Sequence, residues 1–356
     1  MKPSTFVIAE AGVNHNGSLE RAHQLVDAAA AAGADAGKFQ TFKAARLASA
    51  AAPKAAYQAR ETGVAQSQLE MLSALELSEP AHVELMRHCA DRGIEFLSSP
   101  FDEESLALLI KLGVKRLKFG SGELTNAPIL IAAARSGKPL LVSTGMATLA
   151  EVEDALGALS FGHAPAGAPS RAAFAAAWAS PQGREWARSN VTLLHCTTEY
   201  PSPADESNLR AMQTMRERFG VAVGYSDHTV GEAVCLAAVA LGATVIEKHV
   251  TLDRSLPGPD HKASIEPAEL EHLVTGIRMV EAALGTGVKA PVPAEIPNIA
   301  IARKSIVAAM AIAKGERITE QHLAVKRPGG GRPPFELWDV IGTVATRDYR
   351  IDDPIE

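Results

Sequence analysis

The chain has 356 residues, of which 47% are hydrophobic and 21% are charged, with 35 Lys and Arg against 41 Asp and Glu. Its length predicts one large domain with a smaller one, and its ordinary composition excludes a disordered or collagen-like chain. The net charge of −6 argues against nucleic acid or an anionic membrane surface as a partner.

Short apolar runs alternate with longer amphipathic stretches along most of the chain. The apolar runs predict strands at Phe6–Ala9, Lys38–Thr41, Glu95–Ser98, Arg116–Phe119, Leu140–Ser143, Val191–His195, Val221–Tyr225 and Val245–His249. The amphipathic stretches predict helices at Leu19–Ala32, Glu103–Leu112, Glu151–Leu159, Leu209–Phe219 and Val230–Leu241. Ser18 and Asp102 occupy helix N-cap positions in this pattern. Eight strand–helix units ending near Leu284 favour a (β/α)8 TIM barrel over a doubly wound sheet.

Two segments interrupt this alternation. Ala44–Gln66 is Ala-rich and polar and follows the second strand. Phe161–Asn190 precedes the sixth strand and carries Trp178 and Trp186 on a helical pattern. We interpret the second segment as an added surface helix, and a substrate lid is the alternative.

A stretch with several Pro and Gly residues after Gly285 marks a domain boundary. We predict a catalytic barrel over residues 1–285, a linker over 286–298 and a small β-rich domain over 299–356. Short β-like runs occur in the small domain at Ser305–Ala308 and Leu323–Val325. Because this domain is too short for a large core of its own, we expect it to dock on another surface.

The cysteines and the N-terminus indicate a cytoplasmic protein. Cys89, Cys196 and Cys235 are widely spaced and form no CxxC motif, which favours a reducing compartment. Glu10 follows the first apolar residues before the core of a signal peptide could form. No apolar run approaches the ~20 residues that span a bilayer, so we expect no membrane partner.

Polar side chains follow every predicted strand, at the face where barrel enzymes place their active sites. Two ammonium groups and several hydroxyl groups suit a phosphorylated anion, and this set consists of Lys38, Lys118, Ser99, Ser121, Ser143 and Ser226. The alternative is that the lysines are solvated and the serines cap the following helices.

Two histidines end consecutive strands, since His228 follows the seventh strand and His249 ends the eighth. Two neutral imidazoles with water or substrate oxygens suit a divalent transition ion such as Mn²⁺, and Glu10 is expected nearby. Simple hydrogen bonding by each histidine is the alternative, and His195 is interpreted as structural.

Longer motifs cover almost the whole chain: IAEAGVNHNGS (Ile8–Ser18), GADAGKFQTF (Gly33–Phe42), FLSSPFD (Phe96–Asp102), LKFGSGELTN (Leu117–Asn126), GKPLLVSTGMA (Gly137–Ala147), LLHCTTEYPSP (Leu193–Pro203), GYSDHT (Gly224–Thr229), EKHVTLDRSLPGPDH (Glu247–His261) and KRPGGG (Lys326–Gly331). In content and order they resemble the sialic acid synthase family, which comprises N-acetylneuraminate synthases and their legionaminate and pseudaminate relatives. The resemblance implies a TIM barrel followed by an antifreeze-like (SAF) domain. It also implies a domain-swapped homodimer in which the small domain of one subunit closes the barrel of the other.

The resemblance implies that phosphoenolpyruvate condenses with an N-acylated hexose to give a nine-carbon 2-keto sugar acid and phosphate. N-acetylmannosamine is the expected sugar, which makes the chain an N-acetylneuraminate synthase. The alternative is an N,N'-diacetyllegionaminate synthase that acts on 2,4-diacetamido-2,4,6-trideoxymannose. A pseudaminate synthase fits the CTTEYP motif less well.

The resemblance also assigns roles to individual residues. Phosphoenolpyruvate would be held by Lys38, Ser99, Lys118, Ser121, Ser143 and Ser226. The metal, Mn²⁺ with Mg²⁺ or Co²⁺ as alternatives, would be bound by His228 and His249. The sugar would contact Gln40, Glu123, Tyr200 and Asp260, together with Arg327 of the partner subunit. The catalytic residues would be Glu10, Glu123, Lys118, His228 and His249, with Glu10 or Glu123 as the general base.

Two other functions remain as alternatives. An aldolase that forms a Schiff base needs a lysine in an apolar setting, and the hydroxyl groups around Lys38 and its proximity to Lys118 argue against one. A non-catalytic carbohydrate- or ice-binding protein is suggested only by the C-terminal part of the chain.

Overall fold

The computed structural model describes residues 5–49, 51–62, 67–164 and 167–356, apart from the side chain at position 57. Residues 50, 63–66 and 165–166, which belong to the two predicted interruptions, lie outside the described residues. The chain divides into two compact units, one ending at Gly285 and the other beginning at Thr286.

The first unit is a near-closed barrel of eight parallel strands in the described part of the chain. These strands are β1 (Phe6–Gly12), β2 (Ala36–Thr41), β3 (Glu95–Pro100), β4 (Leu117–Phe119), β5 (Leu140–Ser143), β6 (Val191–His195), β7 (Ala222–Asp227) and β8 (Val245–His249). Their hydrogen-bonded order is β3-β2-β1-β8-β7-β6-β5-β4. The predicted TIM-barrel fold is therefore confirmed, and β1, β3 and β7 extend beyond their predicted C-terminal ends.

Helices surround this barrel. They are α1 (Leu19–Ala31), α2 (Ala44–Leu47), α3 (Ala56–Thr62), α4 (Gln68–Ser73), α5 (Glu79–Asp91), α6 (Glu103–Leu112), α7 (Ala127–Arg135), α8 (Leu149–His163), α9 (Arg171–Ala179), α10 (Pro181–Asn190), α11 (Arg210–Phe219), α12 (Ala233–Ala240) and α13 (Pro267–Leu284). The side chains of Ser18 and Asp102 accept hydrogen bonds from the first turns of α1 and α6, as predicted for N-caps. Within the ranges described above, no helix combines the length and apolarity needed to cross a membrane.

An apolar layer fills the barrel and positions the polar residues above it. It contains Ile8, Ala36, Leu97, Leu141, Leu194 and Val245 from six of the strands. Side chains two residues apart on a strand share one face. Glu10, Lys38, Ser99, Ser143 and Glu247 each lie two residues after a member of this layer. Strand alternation therefore brings them together at the C-terminal end of the barrel.

The second interruption forms two helices, α9 and α10, where one added surface helix was expected. The helix before it, α8, continues to His163 and is buried over much of its length. Phe174 of α9 contacts Phe161 of α8 with a ring-centroid distance of 5.3 Å, and Trp178 is buried. The apolar face of the insertion therefore packs on the barrel's own outer helices.

The second unit contains α14 (Ile296–Ala302), β9 (Ser305–Ala308), β10 (Leu323–Lys326) and α15 (Leu337–Val340). The strands β9 and β10 pair in antiparallel register, with Leu323 opposite Ala308. A small core of its own contains Ile306, Ala308, Ile312, Ile318, Val340, Ala345, Tyr349 and Ile355. The end of the predicted linker is helical, because α14 begins at Ile296.

Candidate active site

A cavity of about 290 Å³ lies at the C-terminal ends of the barrel strands. Its lining includes most of the residues that the sequence singled out: Glu10, Lys38, Gln40, Ser99, Lys118, Ser121, Ser143, Tyr200, Ser226, His228, His249 and Asp260. None of the described residues of α9 and α10 lines it. The geometry therefore gives no support to a substrate lid in this insertion.

Two predicted site residues lie elsewhere. Glu123 ends a short 3-10 turn, and its carboxylate accepts a hydrogen bond from Asn126 Nδ2 at 2.7 Å, at the N-cap of α7. It is not part of the cavity lining, although Gly122 beside it is. The structure thus does not bring Glu123 to the position expected of a base or sugar ligand. Arg327 is exposed after β10 in the second unit, and its role stays a prediction.

Lys38 is buried and ion-paired. Its Nζ atom lies 2.7 Å from Glu10 Oε2 and 3.7 Å from Glu247 Oε2, and it donates a hydrogen bond to Ser99 Oγ at 3.0 Å. Burial alone would lower the pKa of Lys38, but Glu10 and Glu247 outweigh burial and raise this pKa. Lys38 therefore stays charged, which suits it for binding an anion.

Glu247 lies within the predicted strand Val245–His249, but the sequence assigned it no role. Its Oε1 atom lies 3.1 Å from Lys118 Nζ and accepts a hydrogen bond from Ser226 Oγ at 2.7 Å. Its position two residues before His249 on β8 places both side chains on the same face. This spacing could have identified it, but its ion pair with Lys118 depends on closure of the barrel.

The two carboxyl groups titrate in opposite directions. Burial raises the pKa of Glu10 to about 7, although Lys38 opposes this shift. Burial would also raise the pKa of Glu247, but Lys118 and Lys38 together hold it well below its usual range. Carboxyl groups with pKa values driven apart have separate acid–base roles. Glu247 is a permanent anion here, and Glu10 can exchange a proton near neutral pH.

Replacing Glu247 by glutamine removes a negative charge beside both lysines and keeps the side-chain shape. A unit charge about 4 Å away contributes about 4 kcal/mol at an effective dielectric constant of about 20. We therefore expect Glu247→Gln to bind inorganic phosphate at least about tenfold more tightly, as measured by isothermal titration calorimetry. The control is Glu185→Gln, at an exposed side chain of α10. Unchanged or weaker phosphate binding by Glu247→Gln would contradict this charge balance.

His228 and His249 lie side by side, with ring centroids 5.4 Å apart. His228 Nδ1 lies 2.6 Å from the Thr197 carbonyl oxygen, so it carries the proton and leaves Nε2 as an acceptor. His249 Nδ1 is buried and has no hydrogen-bond partner in the part of the chain that the structure describes. Burial lowers the pKa of His228 to about 4 and that of His249 well below its usual range. Both rings are therefore neutral at pH 7.

This pair fits a divalent ion as a two-ligand site. Neutral imidazole is the form that binds transition metals, and an unpartnered buried ring nitrogen indicates a missing ligand. Within the described ranges there is no cluster of three or more His, Cys, Asp and Glu that could hold a metal. Glu10, expected beside the metal, is paired with Lys38. Any ion at this pair therefore takes its other ligands from water or substrate.

Three further polar residues of the cavity are Tyr200, Gln40 and Asp260. The Tyr200 ring centroid lies 4.1 Å from that of His228, and Gln40 Nε2 donates to Glu10 Oε1 at 3.4 Å. Asp260 is buried, and burial raises its pKa to about 6. These polar groups lie in the same cavity as the lysines. They are suited to bind a polyhydroxylated molecule next to an anion.

The hydroxyl groups at the C-terminal ends of β4 and β5 form a tight cradle. Ser121 Oγ accepts a hydrogen bond from the Gly145 backbone N–H at 3.0 Å. A Cβ atom at Gly145 would lie 2.4 Å from Thr198 Oγ1 and 2.7 Å from Ser121 Oγ, so a larger residue would displace these hydroxyl groups. Ser143 Oγ is buried without a partner among the described residues. An unsatisfied hydroxyl in a polar cavity indicates a ligand that supplies the missing hydrogen bond.

A fully buried ion pair lies behind the two histidines. Lys248 Nζ is 2.7 Å from Asp227 Oδ2, both side chains are 0% exposed, and the two residues are partners across β7 and β8. The same Asp227 carboxylate accepts hydrogen bonds from the backbone N–H of Thr229 and from Cys235 Sγ. Asp227 and Lys248 immediately precede the two histidines, so they fix the backbone from which those rings project.

Loss of one partner in this ion pair is expected to destabilise the barrel. Asp227→Ala leaves the Lys248 ammonium buried without its counter-ion, which lowers the free energy of unfolding by about 3–5 kcal/mol. Chemical denaturation measures this change. The double variant Asp227→Leu with Lys248→Met, which removes both charges, should recover most of the stability. An Asp227→Ala variant as stable as the wild type would contradict the burial of an intact pair.

Comparison with known proteins agrees with this architecture and site. Residues 25–289 match the NeuB family and residues 303–356 match the SAF domain. The N,N'-diacetyllegionaminic acid synthase of Campylobacter jejuni is 48% identical over 99% of this chain and 98% of its own length. The protein of the same name from Legionella pneumophila is 46% identical over 95% of this chain and 89% of its own.

A solved structure extends the comparison to the fold. The N-acetylneuraminic acid (sialic acid) synthetase of Leptospira borgpetersenii, in complex with citrate, aligns with a TM-score of 0.67 and 32% identity. The alignment covers 83% of this chain and 90% of that one. Together with the family matches, these similarities extend over both units of the chain. The chain therefore belongs to the NeuB family of sialic acid synthases and carries a C-terminal SAF domain.

Proposed function

We propose that the chain condenses phosphoenolpyruvate with 2,4-diacetamido-2,4,6-trideoxymannose to form N,N'-diacetyllegionaminic acid and phosphate. The observation that carries the reaction type is one cavity that holds two buried lysines, a hydroxyl cradle and a neutral histidine pair. The sugar rests on identities of 48% and 46% to two legionaminic acid synthases, against 32% to the sialic acid synthetase. These identities favour the alternative sugar over N-acetylmannosamine.

The lysines and hydroxyl groups are the proposed binding site for phosphoenolpyruvate. The two ammonium groups, Lys38 and Lys118, are held in place by Glu10 and Glu247 before the substrate arrives. The incoming phosphate and carboxylate compete with these carboxylates for the same cations. Ser99, Ser121, Ser143 and Ser226 add short hydrogen-bond donors. Cations fixed in a buried site stabilise the departing phosphate without reorganisation.

His228 and His249 would hold the divalent ion, which we propose to be Mn²⁺. When bound, this ion supplies Lewis-acid activation of the sugar's open-chain aldehyde. The chain's own contribution is to keep both rings neutral and the Nδ1 proton of His228 on the Thr197 carbonyl. Tyr200 lies against both imidazole rings and limits where the aldehyde end can lie.

The proposed reaction forms one carbon–carbon bond and breaks the carbon–oxygen bond to the phosphate. The C3 carbon of phosphoenolpyruvate attacks the aldehyde carbon, the aldehyde oxygen takes a proton from solvent, and positive charge forms at C2. Water adds to C2 and loses one proton to a base. The hydroxyl group left at C2 gives its proton to the departing phosphate as the bond from C2 to the phosphate oxygen breaks, which leaves the 2-keto group. Glu10 is the proposed acceptor of the water proton, because its pKa of about 7 lets it exchange one near neutral pH. Lys118 stays beside the leaving phosphate.

The Schiff-base alternative is not supported by the lysine environment. A nucleophilic lysine needs a lowered pKa. The carboxylates around Lys38 instead raise its pKa, and Lys118 is paired with Glu247. Lys38 is thus kept as a cation and Lys118 is held in an ion pair, which suits anion binding and opposes imine formation with a keto acid.

We also propose that the active form is a domain-swapped homodimer in the cytoplasm. The SAF-domain match and the exposed position of Arg327 after β10 support a role for this unit at the cavity of a partner subunit. In the described part of the chain, Cys89, Cys196 and Cys235 are buried and free, in keeping with a reducing compartment.

A panel of sugars tests the proposed function. Phosphate release is measured with phosphoenolpyruvate, Mn²⁺ and each of N-acetylmannosamine, mannose, 2,4-diacetamido-2,4,6-trideoxymannose and its altrose isomer. We expect kcat/KM to be highest for the trideoxymannose, by about tenfold or more over N-acetylmannosamine. Preference for N-acetylmannosamine would make the chain a neuraminate synthase. Absence of sugar-dependent phosphate release would contradict the synthase itself.

A further inference from the structure

One side of the catalytic cavity is apolar, in contrast to the charged groups at the strand ends. Its residues, here called the apolar wall, are Val13, Leu47, Met71, Leu72, Leu75 and Phe101. The strand-end residues belong to the barrel itself, whereas most of this wall comes from α2, α4 and the residues that follow α4. The sequence did not predict the wall, because its residues come from separate parts of the chain and meet only in the fold.

The apolar wall is held in place by packing that is independent of any ligand. Ser67 and Glu70 form a capping box that starts α4. Met71 and Leu75 are buried with Val13 and Phe42 in a small cluster of their own. Leu47, Leu72 and Phe101 pack against this cluster and are only partly buried. These three side chains therefore leave apolar surface for a ligand.

The reaction fixes which part of the sugar can reach this surface. The aldehyde carbon must lie at the strand ends, beside the histidines and the enol phosphate. In an open-chain hexose, C4 to C6 lie farthest from the aldehyde. This end of the sugar is thus the part that can reach beyond the charged strand ends, and the apolar wall lines the same cavity.

The two candidate sugars differ at that end. N-acetylmannosamine carries hydroxyl groups at C4 and C6. The trideoxy sugar carries an acetamido group at C4 and a methyl group at C6. A methyl group gains from contact with apolar side chains, whereas a hydroxyl group loses its hydrogen bonds there. Gln58 and Gln68 also line the cavity and offer amide groups to an acetamido substituent.

We propose that the apolar wall is the specificity-determining surface for the C4–C6 end of the sugar, and that it selects a 6-deoxy, doubly N-acylated hexose. This inference rests on the proposed function and adds the residues that read the sugar. Leu72 and Leu47 are two of the wall's three partly buried residues, and their apolar side chains contribute to the preference for this sugar. The wall acts on sugar binding and leaves the site for phosphoenolpyruvate unchanged.

The test replaces each of these leucines by glutamine. We expect Leu72→Gln and Leu47→Gln to lower the ratio of kcat/KM for the trideoxymannose to that for N-acetylmannosamine by about tenfold. The change should lie in the KM for the sugar, while the KM for phosphoenolpyruvate stays unchanged. The matched control is Leu69→Gln, which lies on the same helix, is partly buried and does not line the cavity. Its ratio should remain that of the wild type.

The outcomes separate this inference from the proposed function. If the wild type prefers the trideoxymannose and both wall variants keep its ratio, the wall inference is wrong and the function stands. An equal loss with both sugars, or a raised KM for phosphoenolpyruvate, also overturns it, because the substitution then acts through the fold. If the wild type uses none of the sugars, the proposed function fails and the inference fails with it. Circular dichroism checks that each variant is folded. Because the two leucines lie on different helices, one variant still tests the inference if the other fails to fold.

Discussion

We expect Lys118→Ala to lower kcat/KM for condensation by about 10³-fold or more, while the barrel remains folded. The substitution removes one of the two cations that we propose to hold the enol phosphate and to stabilise the phosphate as it leaves. It also removes the ammonium group that lies 3.1 Å from Glu247, so this carboxyl group loses a counter-ion next to the incoming negative charge. Phosphate release under saturating sugar measures the rate, and circular dichroism checks the fold.

The control for this variant is Lys115→Ala, at an exposed lysine just before β4. It changes the net charge of the protein by the same amount and should keep the activity of the wild type. Condensation by Lys118→Ala within about tenfold of the wild type would remove this lysine from the phosphate site.

The second large effect is expected at the histidine pair. His249→Ala removes one of two neutral imidazoles, and we expect Mn²⁺ to bind at least about 100-fold more weakly, since even outer-shell losses cost about 10–100-fold. Electron paramagnetic resonance of free Mn²⁺ during titration of the apoprotein measures this affinity without any turnover. Condensation should fall with the loss of the ion.

His272→Ala, on the exposed face of α13, is the matched histidine control and should bind Mn²⁺ as the wild type does. If His249→Ala bound Mn²⁺ with unchanged affinity, the metal would lie elsewhere and the neutral pair would need another explanation.

The barrel and much of its site could be predicted from the sequence because strand alternation is a local signal. The apolar residues Ile8, Ala36 and Leu141 are each followed two positions later by a polar residue of the cavity. A parallel barrel gathers all such strand ends at one face. The predicted phosphate-binding residues and both histidines therefore line one cavity.

The rest depends on contacts between distant parts of the chain. The pairing of Lys118 with Glu247 and of Asp227 with Lys248 appears only when neighbouring strands close into a barrel. Glu123 follows a predicted strand closely, yet it ends a 3-10 turn and its carboxylate accepts a hydrogen bond from Asn126. A local pattern cannot report such a turn, because it gives the order of polar residues and not the direction of each side chain.

The electrostatic arrangement has a consequence for catalysis. The cavity holds two lysines and three carboxyl groups, which differ in pKa, with Glu247 held low, Glu10 raised to about 7 and Asp260 raised to about 6. The positive and negative charges of the site therefore largely balance, which limits the cost of burying them. An anionic substrate that displaces the carboxylates gains cations that are already oriented.

Identification of the reaction products shows whether this cavity joins an enol phosphate to a sugar aldehyde. The protein is incubated with Mn²⁺, phosphoenolpyruvate and 2,4-diacetamido-2,4,6-trideoxymannose, and the mixture is analysed by mass spectrometry and phosphate determination. We expect a nine-carbon 2-keto sugar acid to form in step with one phosphate per molecule. Free pyruvate with unchanged sugar, or phosphate released without a new carbon–carbon bond, would contradict it.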